Sequence, residues 1–399
     1  MSVTRRESAV ERVGVILSGG GARGAYEVGA LAGVLEALGA GATGPATFDV
    51  ISGTSVGAIN GAWLAANAHR GDHDIQGLVN LWRSLSLSKH VKVDLRALLR
   101  GPLRDPERFG RSVFDPRPFE ELIGTSIDFT RLHQNIEAGA LRAFIVSALH
   151  IGTGVTTLFT HLAPGATFGR TDHPRRVSIA ARIAAEHVLA SAAIPVLFPA
   201  RRIGGAFFAD GGLRFNTPIS PALRAGADKL LVVTLGTDSP EPTRVEAPAS
   251  VEEQYPSFVF LAGKVLNALL LDPVADDFET LQHLNAFVDG LDVLPPVERA
   301  RVDAALAQAR GRPYRKIPTL HLAPSRNVGV LAAEHLREPR QNGGPMSRLL
   351  WARAAQEGAT WEADLASYLL FDGGWTHKLL ELGRADALAQ REAICAFFS

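Results

Sequence analysis

The chain has 399 residues, of which 46% are hydrophobic, and it carries 41 basic and 41 acidic side chains. Such a composition can bury a full core, and the zero formal charge gives no overall field favouring nucleic acid, so nucleic acid is not an expected partner. The single cysteine, Cys395, excludes an intrachain disulfide and a cysteine-based metal site. Nothing in the sequence implies a metal or an organic cofactor.

The N-terminal residues predict no targeting segment. Residues 1–11 form a polar tail without the apolar stretch of a secretory signal peptide. The longest apolar stretch, 258–271, is interrupted by Lys264 and is shorter than the roughly 20 residues of a membrane-spanning helix. We therefore expect a cytoplasmic or peripheral membrane protein, and export by a route without a cleaved signal stays open.

Two strand–loop–helix units follow each other near the N-terminus. The apolar run 13–17 ends at a run of glycines and precedes a helical pattern over 25–38. A second apolar run, 48–51, precedes a helix dense in small residues over 56–68. Consecutive units of this kind predict parallel strands with right-handed crossovers, and hence an α/β fold with a parallel central sheet and flanking helices.

The rest of the chain continues this pattern and then becomes mainly helical. Further strands are predicted at 141–149, 206–209 and 229–235, and a helix at 177–193. A proline-rich linker at 237–250 is followed by predicted helices at 258–271, 276–288, 296–310, 328–336, 346–358 and 361–370, with a strand-like piece at 319–323. The predicted division is a tail (1–11), a catalytic domain (12–240, with a possible cap or insertion at 71–130) and a mainly helical C-terminal region (251–399).

The second glycine loop, Gly53-Thr54-Ser55-Val56-Gly57, displays a serine. A serine at a strand-to-helix turn projects its hydroxyl into a cleft, and the flanking Gly53 and Gly57 relieve the crowding of that strained turn. The pattern predicts Ser55 as a nucleophile in acyl transfer. The alternative is a helix start capped by a serine or threonine.

The first glycine loop, Gly19-Gly20-Gly21-Ala22-Arg23-Gly24, offers backbone N–H groups at a helix start, where an oxyanion is stabilised. It also matches the dinucleotide-binding fingerprint, which expects an acidic residue about 20 positions later. Glu36 lies inside the first helix and Asp49 at the start of the second strand, so neither is well placed. The oxyanion interpretation is favoured, and a dinucleotide-binding oxidoreductase remains the alternative. Arg23 would suit an anionic or strongly dipolar substrate group.

A nucleophilic serine needs a base. None of the twelve histidines lies in a motif, and His150 and His187 are only the best placed of them. Asp210 follows an apolar strand and precedes Gly211 and Gly212, so its carboxylate would stand at a loop tip. An aspartate with a pKa near 4 is a poor base, but desolvation would raise that pKa. The alternative is an ordinary Asp-Gly turn.

Four signatures now stand in order along the chain. They are Gly19–Gly24, Gly53–Gly57, Ala190-Ser191-Ala192-Ala193-Ile194-Pro195, and Asp210-Gly211-Gly212 followed by Asn216-Thr217-Pro218. Over residues of about 12–236 the chain resembles a patatin-like phospholipase, a bacterial member by its composition.

The resemblance implies a serine hydrolase acting on lipid esters, of phospholipase A or lysophospholipase type, through a catalytic dyad without histidine. Ser55 would be the nucleophile and Asp210 its base. The N–H groups of Gly19, Gly20 and Gly21 would form the oxyanion hole, with Arg23 steadying the loop or the substrate's polar head. A lipid-binding protein with a vestigial hydrolase site is a further alternative.

A basic segment lies between the two halves of the predicted catalytic domain. Its members are Arg83, Lys89, Lys92, Arg96, Arg100, Arg104, Arg108, Arg111 and Arg117. These charges suggest possible contact with an anionic membrane surface, and the alternative is a solvated face balanced by neighbouring acids. The oligomeric state is left open.

Overall fold

The computed structural model describes residues 11–85, 92–93, 114–170, 173–195, 197–237, 258–310, 313–338 and 363–399. Its centre is a nine-stranded sheet. The strands of this sheet are β1 (Val13–Leu17), β2 (Val50–Thr54), β5 (Ala143–His150), β6 (Val155–Leu162), β7 (Arg176–Ala180), β8 (Arg201–Ile203), β9 (Ala206–Asp210), β10 (Lys229–Val233) and β11 (Thr319–Leu322). Two short strands, β3 (Lys92–Val93) and β4 (Phe114–Asp115), form a separate ribbon.

The main path of the sheet runs β11-β10-β1-β2-β5-β6-β7. The first five strands are parallel, β6 is antiparallel to β5, and β7 is parallel to β6. Strand β9 pairs antiparallel with both β5 and β8. The sheet is therefore mixed, with a parallel majority on the side that carries the two glycine loops.

Helices cover both faces of the sheet. They are α1 (Gly24–Ala37), α2 (Val56–Ala66), α3 (Ile75–Ser84), α4 (Arg117–Ser126), α5 (Phe129–Glu137), α6 (Ala185–Ser191), α7 (Ile219–Arg224), α8 (Phe258–Leu270), α9 (Asp272–Asp292), α10 (Pro296–Arg310), α11 (Val328–Arg337), α12 (Asp364–Leu369), α13 (Gly373–Ala389) and α14 (Arg391–Phe398). Alternate residues of β1 enter two cores: Val15 and Leu17 pack in the core that includes α1, and Ile16 packs in the opposite core with Phe215. This is the alternation expected of a strand covered on both faces.

The predicted α/β class is confirmed, with two differences in detail. The sheet is not wholly parallel, because β6 and β9 run antiparallel to β5. The helix predicted over 177–193 was wrong in its first part, since β7 occupies Arg176–Ala180 and helix α6 begins only at Ala185. Val177 and Ile179 alternate with small residues, a pattern that suits a strand on the edge of a sheet.

The region after residue 250 contributes to the same sheet. Strand β11 pairs with β10, and buried residues of α13 share the core with those of α1. The domain boundary near residue 240 stays a prediction. The predicted helix at 346–358 and almost all of the predicted linker at 237–250 lie outside the described residues.

Among the helices that the structure describes, none combines the length and the apolar character needed to cross a membrane.

Candidate active site

The register of β5 brings the two functional loops together. On one side of β5, Thr54, the last residue of β2, pairs with Ser147, and Asp210, the last residue of β9, pairs with Ala148. Strand β9 thus pairs with β5 immediately beyond the point where the pairing with β2 ends. Because Ser55 directly follows Thr54, the strand pairing alone places Ser55 and Asp210 side by side.

Ser55 stands on a strained turn between β2 and α2. Its backbone has φ 55° and ψ −125°, a combination that a residue with a side chain rarely adopts and that occurs at functional sites. A methyl group on Gly53 would overlap the carbonyl oxygen of Gly57, and one on Gly57 would overlap the carbonyl oxygen of Leu17. Both flanking positions therefore require glycine.

The Ser55 hydroxyl is bonded to a buried carboxylate. Ser55 Oγ donates to Asp210 Oδ2 at 2.6 Å, and Asp210 Oδ1 accepts the N–H of Gly212 at 2.7 Å. Asp210 is only 1% exposed. Burial raises its pKa to about 7, against the smaller opposing effect of the Ser55 and Gly212 hydrogen bonds. A carboxylate with such a pKa can accept a proton near neutral pH.

The DGG turn is packed against β5. A methyl group on Gly211 would overlap the carbonyl oxygen of Ser147. One on Gly212 would lie 3.0 Å from Asp210 Oδ1 and 2.9 Å from Asn216 Oδ1. The two glycines let the chain turn closely around the carboxylate that Ser55 contacts.

Ser191 supports the turn that carries Ser55. The N–H of Ser55 donates to Ser191 Oγ at 2.8 Å, and Ser191 Oγ donates to the carbonyl of Ser147 at 2.6 Å. The sequence analysis gave Ser191 no role, although it belongs to one of the four signatures. Its hydroxyl ties the nucleophile turn to β5.

Asn216 fixes the start of the first glycine loop. The N–H of Gly19 donates to Asn216 Oδ1 at 2.8 Å, and Asn216 Nδ2 donates to the carbonyls of Gly19, at 3.0 Å, and Leu270. Of the three predicted oxyanion donors, Gly19 is thus already engaged by a side chain. The N–H groups of Gly20 and Gly21 therefore remain as the predicted oxyanion donors.

The rest of the loop is packed tightly. Gly21 has φ 56° and lines the same pocket as Ser55. Gly24 opens helix α1, where a methyl group would overlap the side chain of Val56. The loop therefore lies directly against the start of α2, next to Ser55.

Arg23 is not among the residues that line the pocket beside Ser55. Its side chain is 3% exposed, Nη2 lies 3.0 Å from Asp364 Oδ1, and Nε donates to Ser367 Oγ at 2.7 Å. The guanidinium also lies 4.0 Å from the centre of the Tyr368 ring. Of the two roles considered for Arg23, these contacts fit the steadying of the loop and leave no guanidinium face for a substrate head group.

A buried glutamate lies beneath the loop. Glu27 Oε1 accepts the N–H of Ser18 at 2.6 Å, Oε2 accepts Asn60 Nδ2 at 3.0 Å, and Asn60 Oδ1 accepts Trp82 Nε1 at 2.9 Å. Burial raises the pKa of Glu27 to about 8, although the bonds from Asn60 and Ser18 oppose it. Glu27 lies, like Glu36, inside the mainly apolar helical pattern of 25–38, and it was not predicted as part of the site.

Neither candidate histidine is bonded to Ser55. His150 Nδ1 accepts from the backbone N–H of Thr153 at 3.2 Å. His187 Nδ1 accepts the N–H of Ala184 at 3.2 Å, and its ring packs edge-on against Phe159. In both histidines, Nδ1 therefore bonds to a backbone N–H group three residues away.

An apolar pocket opens beside Ser55. It contains about 670 Å³ of empty space, part of it open to solvent. Apart from Gly21 and Ser55 it is lined by Val56, Ile59, Leu78, Leu81, Trp82, Leu85, Phe119, Leu122, Ile123, Ala192, Ile194, Phe198, Tyr368, Leu369 and Phe371. Such a lining can bury a hydrocarbon chain but offers few partners to a polar ligand.

Side chains of the predicted basic segment are described only at its two ends. Arg83 pairs with Glu381 at 2.9 Å and Arg117 with Asp115 at 2.7 Å. Contact of this segment with a membrane surface stays a prediction, since its other side chains lie outside the described residues. Within the described part of the chain, no cluster of histidine, cysteine and acidic residues could hold a metal ion.

Comparison with known proteins gives one family. The family model for patatin-like phospholipases matches residues 15–223, just over half of the chain. No curated protein matches it.

Several solved structures are similar at low identity. VipD from Legionella pneumophila is 15% identical, with a TM-score of 0.36, over 94% of this chain and 67% of that one. Human GIVD cytosolic phospholipase A2 is 15% identical, with a TM-score of 0.44, over 99% of this chain. Its complex with methyl gamma-linolenyl fluorophosphonate is 15% identical, with a TM-score of 0.43, over 100% of this chain. The chain spans 60% of the length of the human enzyme in both structures.

Proposed function

The chain belongs to the patatin-like phospholipase family, and on this premise we propose that it hydrolyses carboxylic esters of lipids, as a phospholipase A or lysophospholipase, with Ser55 and Asp210 as its catalytic dyad. The observation that carries the proposal is the 2.6 Å hydrogen bond from Ser55 Oγ to the buried Asp210 Oδ2. It joins the strained serine turn to a carboxylate whose pKa burial raises to about 7.

In the proposed first half-reaction, Ser55 Oγ attacks the ester carbonyl and its proton passes to Asp210. The carbonyl oxygen becomes an oxyanion that accepts hydrogen bonds from the N–H groups of Gly20 and Gly21. Collapse of this intermediate breaks the ester C–O bond, and Asp210 returns the proton to the leaving alcohol. The acyl group stays on Ser55.

In the second half-reaction, water attacks the acyl carbon and gives a proton to Asp210. A second oxyanion forms in the same loop and collapses with release of Ser55, which recovers its proton. The product is a free carboxylic acid. One preorganised oxyanion donor lowers such a barrier by roughly 3 kcal/mol.

The pocket supports the assignment of a lipid as substrate. Its apolar walls begin at Ser55 itself, so an ester bound there would place its carbonyl carbon at the hydroxyl and its acyl chain among leucine and aromatic side chains. Burial contributes about 0.8 kcal/mol for each methylene group, which favours long acyl chains over acetate.

The test is hydrolysis of defined phospholipids, lysophospholipids and nitrophenyl esters by the full chain and by Ser55→Ala. We expect the variant to lose at least about 10³-fold in kcat, because the nucleophile is absent. Ser178→Ala, at an exposed position on the edge strand β7, is the matched control and should keep full activity. Undiminished ester hydrolysis by Ser55→Ala would refute the assignment of the nucleophile.

A further inference from the structure

The guanidinium of Arg23 is held by a helix from the far end of the chain. Its side chain is 3% exposed, and its partners Asp364 and Ser367 both belong to α12. The family match ends at residue 223, so α12 lies outside it. A buried cation left without its counter-charge is strongly unfavourable, so these contacts determine where Arg23 can sit.

Asp364 is shared between two cations. Its Oδ1 lies 3.0 Å from Arg23 Nη2, and its Oδ2 lies 3.0 Å from Lys264 Nζ on α8. Burial favours the neutral acid, yet Arg23, a hydrogen bond from Asn267 and Lys264 together hold the pKa of Asp364 below its ordinary value. The group is therefore an anion at neutral pH, placed where it compensates the charge of Arg23.

The backbone of the loop is coupled to the same contacts. The N–H of Arg23 donates to the carbonyl of Gly20 at 3.1 Å and closes the turn that contains Gly21. On the other side of that turn, a methyl group on Gly21 would overlap the carbonyl oxygen of Tyr368. Helix α12 thus holds the end of the turn through Arg23 and contacts its middle through Tyr368.

We propose that α12 positions the oxyanion loop: Asp364, acting through Arg23, holds the Gly20–Gly21 turn in place beside Ser55. Asp364 is a positioning residue and does not touch the substrate. The catalytic part of this inference rests on the proposed function, whereas the placement of the loop does not.

The first test is Asp364→Asn, which keeps the side-chain size and removes the charge. We expect kcat to fall about 10- to 100-fold, comparable to partial loss of an oxyanion donor, with KM nearly unchanged. Hydrogen–deuterium exchange of the peptide covering residues 18–26 should become faster in the same variant. The milder Ser367→Ala, which removes the bond from Arg23 Nε and the bond that Ser367 Oγ donates to the carbonyl of Asp364, should change both quantities in the same direction by a smaller factor.

Glu36→Gln is the matched control. Glu36 on α1 and Arg384 on α13 form another ion pair that joins the two parts of the chain, with 2.7 Å contacts at the end of α1 opposite the loop. This variant should leave kcat and the exchange of residues 18–26 as in the unsubstituted protein.

A double-mutant cycle separates positioning from a general structural effect. Because Asp364 is proposed to act through Arg23, Asp364→Asn should cost no further activity in an Arg23→Met background. Exchange at residues 18–26 that stays unchanged in both Asp364→Asn and Ser367→Ala would overturn the proposal, whether or not any ester is hydrolysed. Inactivity of the unsubstituted protein with faster exchange in Asp364→Asn would instead contradict only the proposed function.

Discussion

The reactivity of Ser55 depends on how its partner carboxylate is solvated. In water Asp210 would be a weak base toward a hydroxyl, but it is 1% exposed and its pKa is raised to about 7. Burial destabilises the anion more than the two hydrogen bonds from Ser55 and Gly212 stabilise it. Asp210 thereby gains proton affinity at the position to which, in the proposed mechanism, the Ser55 proton passes.

This environment predicts a pH-dependent activity. Because Asp210 must be deprotonated to act as base, kcat/KM for an ester should rise with pH and level off above an apparent pKa of about 7. Asp210→Asn should lose at least about 10³-fold in kcat. Asp386→Asn, an aspartate bonded to Tyr26 Oη, is the control. A rate independent of pH between about 5 and 9 would contradict the role of Asp210.

The same burial predicts a cost in stability. The folded-state pKa values of Asp210 and Glu27 are raised to about 7 and about 8, so the folded protein binds protons that the unfolded chain has already lost. The contribution of these two groups to the free energy of unfolding should therefore be largest below about pH 4 and be lost as the pH rises through 7 to 8. Denaturant titrations of Asp210→Asn should show a shallower fall, with a gain of roughly 2 kcal/mol at pH 8. If the free energy of unfolding fell equally with pH in Asp210→Asn and in the unsubstituted protein, this assignment would be contradicted.

At the level of secondary structure, elements that are distant in sequence build one pocket. Helix α3 contributes Leu78, Leu81 and Trp82, helix α4 contributes Phe119, and the segment after α12 contributes Phe371. The rings of Trp82 and Phe371 are stacked 6.4 Å apart, and Phe119 and Phe371 lie 6.5 Å apart. These aromatic contacts tie the C-terminal region to the wall of the pocket.

Filling this wall should change the preference for acyl-chain length. Leu81→Trp adds bulk inside the pocket, so hydrolysis of long-chain esters should fall by about 10-fold or more relative to nitrophenyl acetate, since several methylene groups lose their burial. Asn80→Trp places the same side chain at an exposed position of α3 and should leave the ratio unchanged. Equal loss for short and long esters in Leu81→Trp would argue against acyl binding here.

Local sequence patterns predicted nearby elements, whereas the pairing of the distant residues Ser55 and Asp210 was expected only from the family resemblance. Strand β1 and helix α10 were predicted with the observed bounds, and both glycine loops were located, because turn chemistry and helical periodicity act over a few residues. The pairing of β9 with β5 depends on the three-dimensional arrangement of the strands, which no local sequence pattern specifies. The contact between Arg23 and Asp364 spans 341 positions, and no local pattern marks an aspartate as its partner.

For the whole molecule, the part of the chain before residue 240 and the C-terminal region share one sheet and one core. Strand β11 extends the sheet beside β10, and helix α13 packs so closely on α1 that a methyl group on Gly383 would overlap the carbonyl oxygen of Tyr26. Thirteen of the fourteen residues of α1 are buried as a result. The region after residue 250 is therefore a structural component of the site that it surrounds.

A pair of glycine substitutions tests this packing. Gly383→Ala should lower the free energy of unfolding by about 1 to 3 kcal/mol, because the helices must separate. Gly290→Ala, in helix α9 at a position with open space around it, should instead raise it by up to about 1 kcal/mol through helix propensity. Thermal or denaturant unfolding of the two variants shows whether the free energy of unfolding falls in one and rises in the other. A Gly383→Ala protein as stable as Gly290→Ala would mean that α1 and α13 do not pack this closely.

The central claim is that Ser55 is a nucleophile activated by Asp210 without a histidine, and covalent labelling tests it most directly. After reaction with a long-chain fluorophosphonate, peptide mass spectrometry should place a single phosphonyl group on Ser55. The labelling rate should fall by at least about 10²-fold in Asp210→Asn and stay unchanged in His150→Ala and His187→Ala. Labelling at another residue, or labelling that depends on a histidine and not on Asp210, would contradict the account.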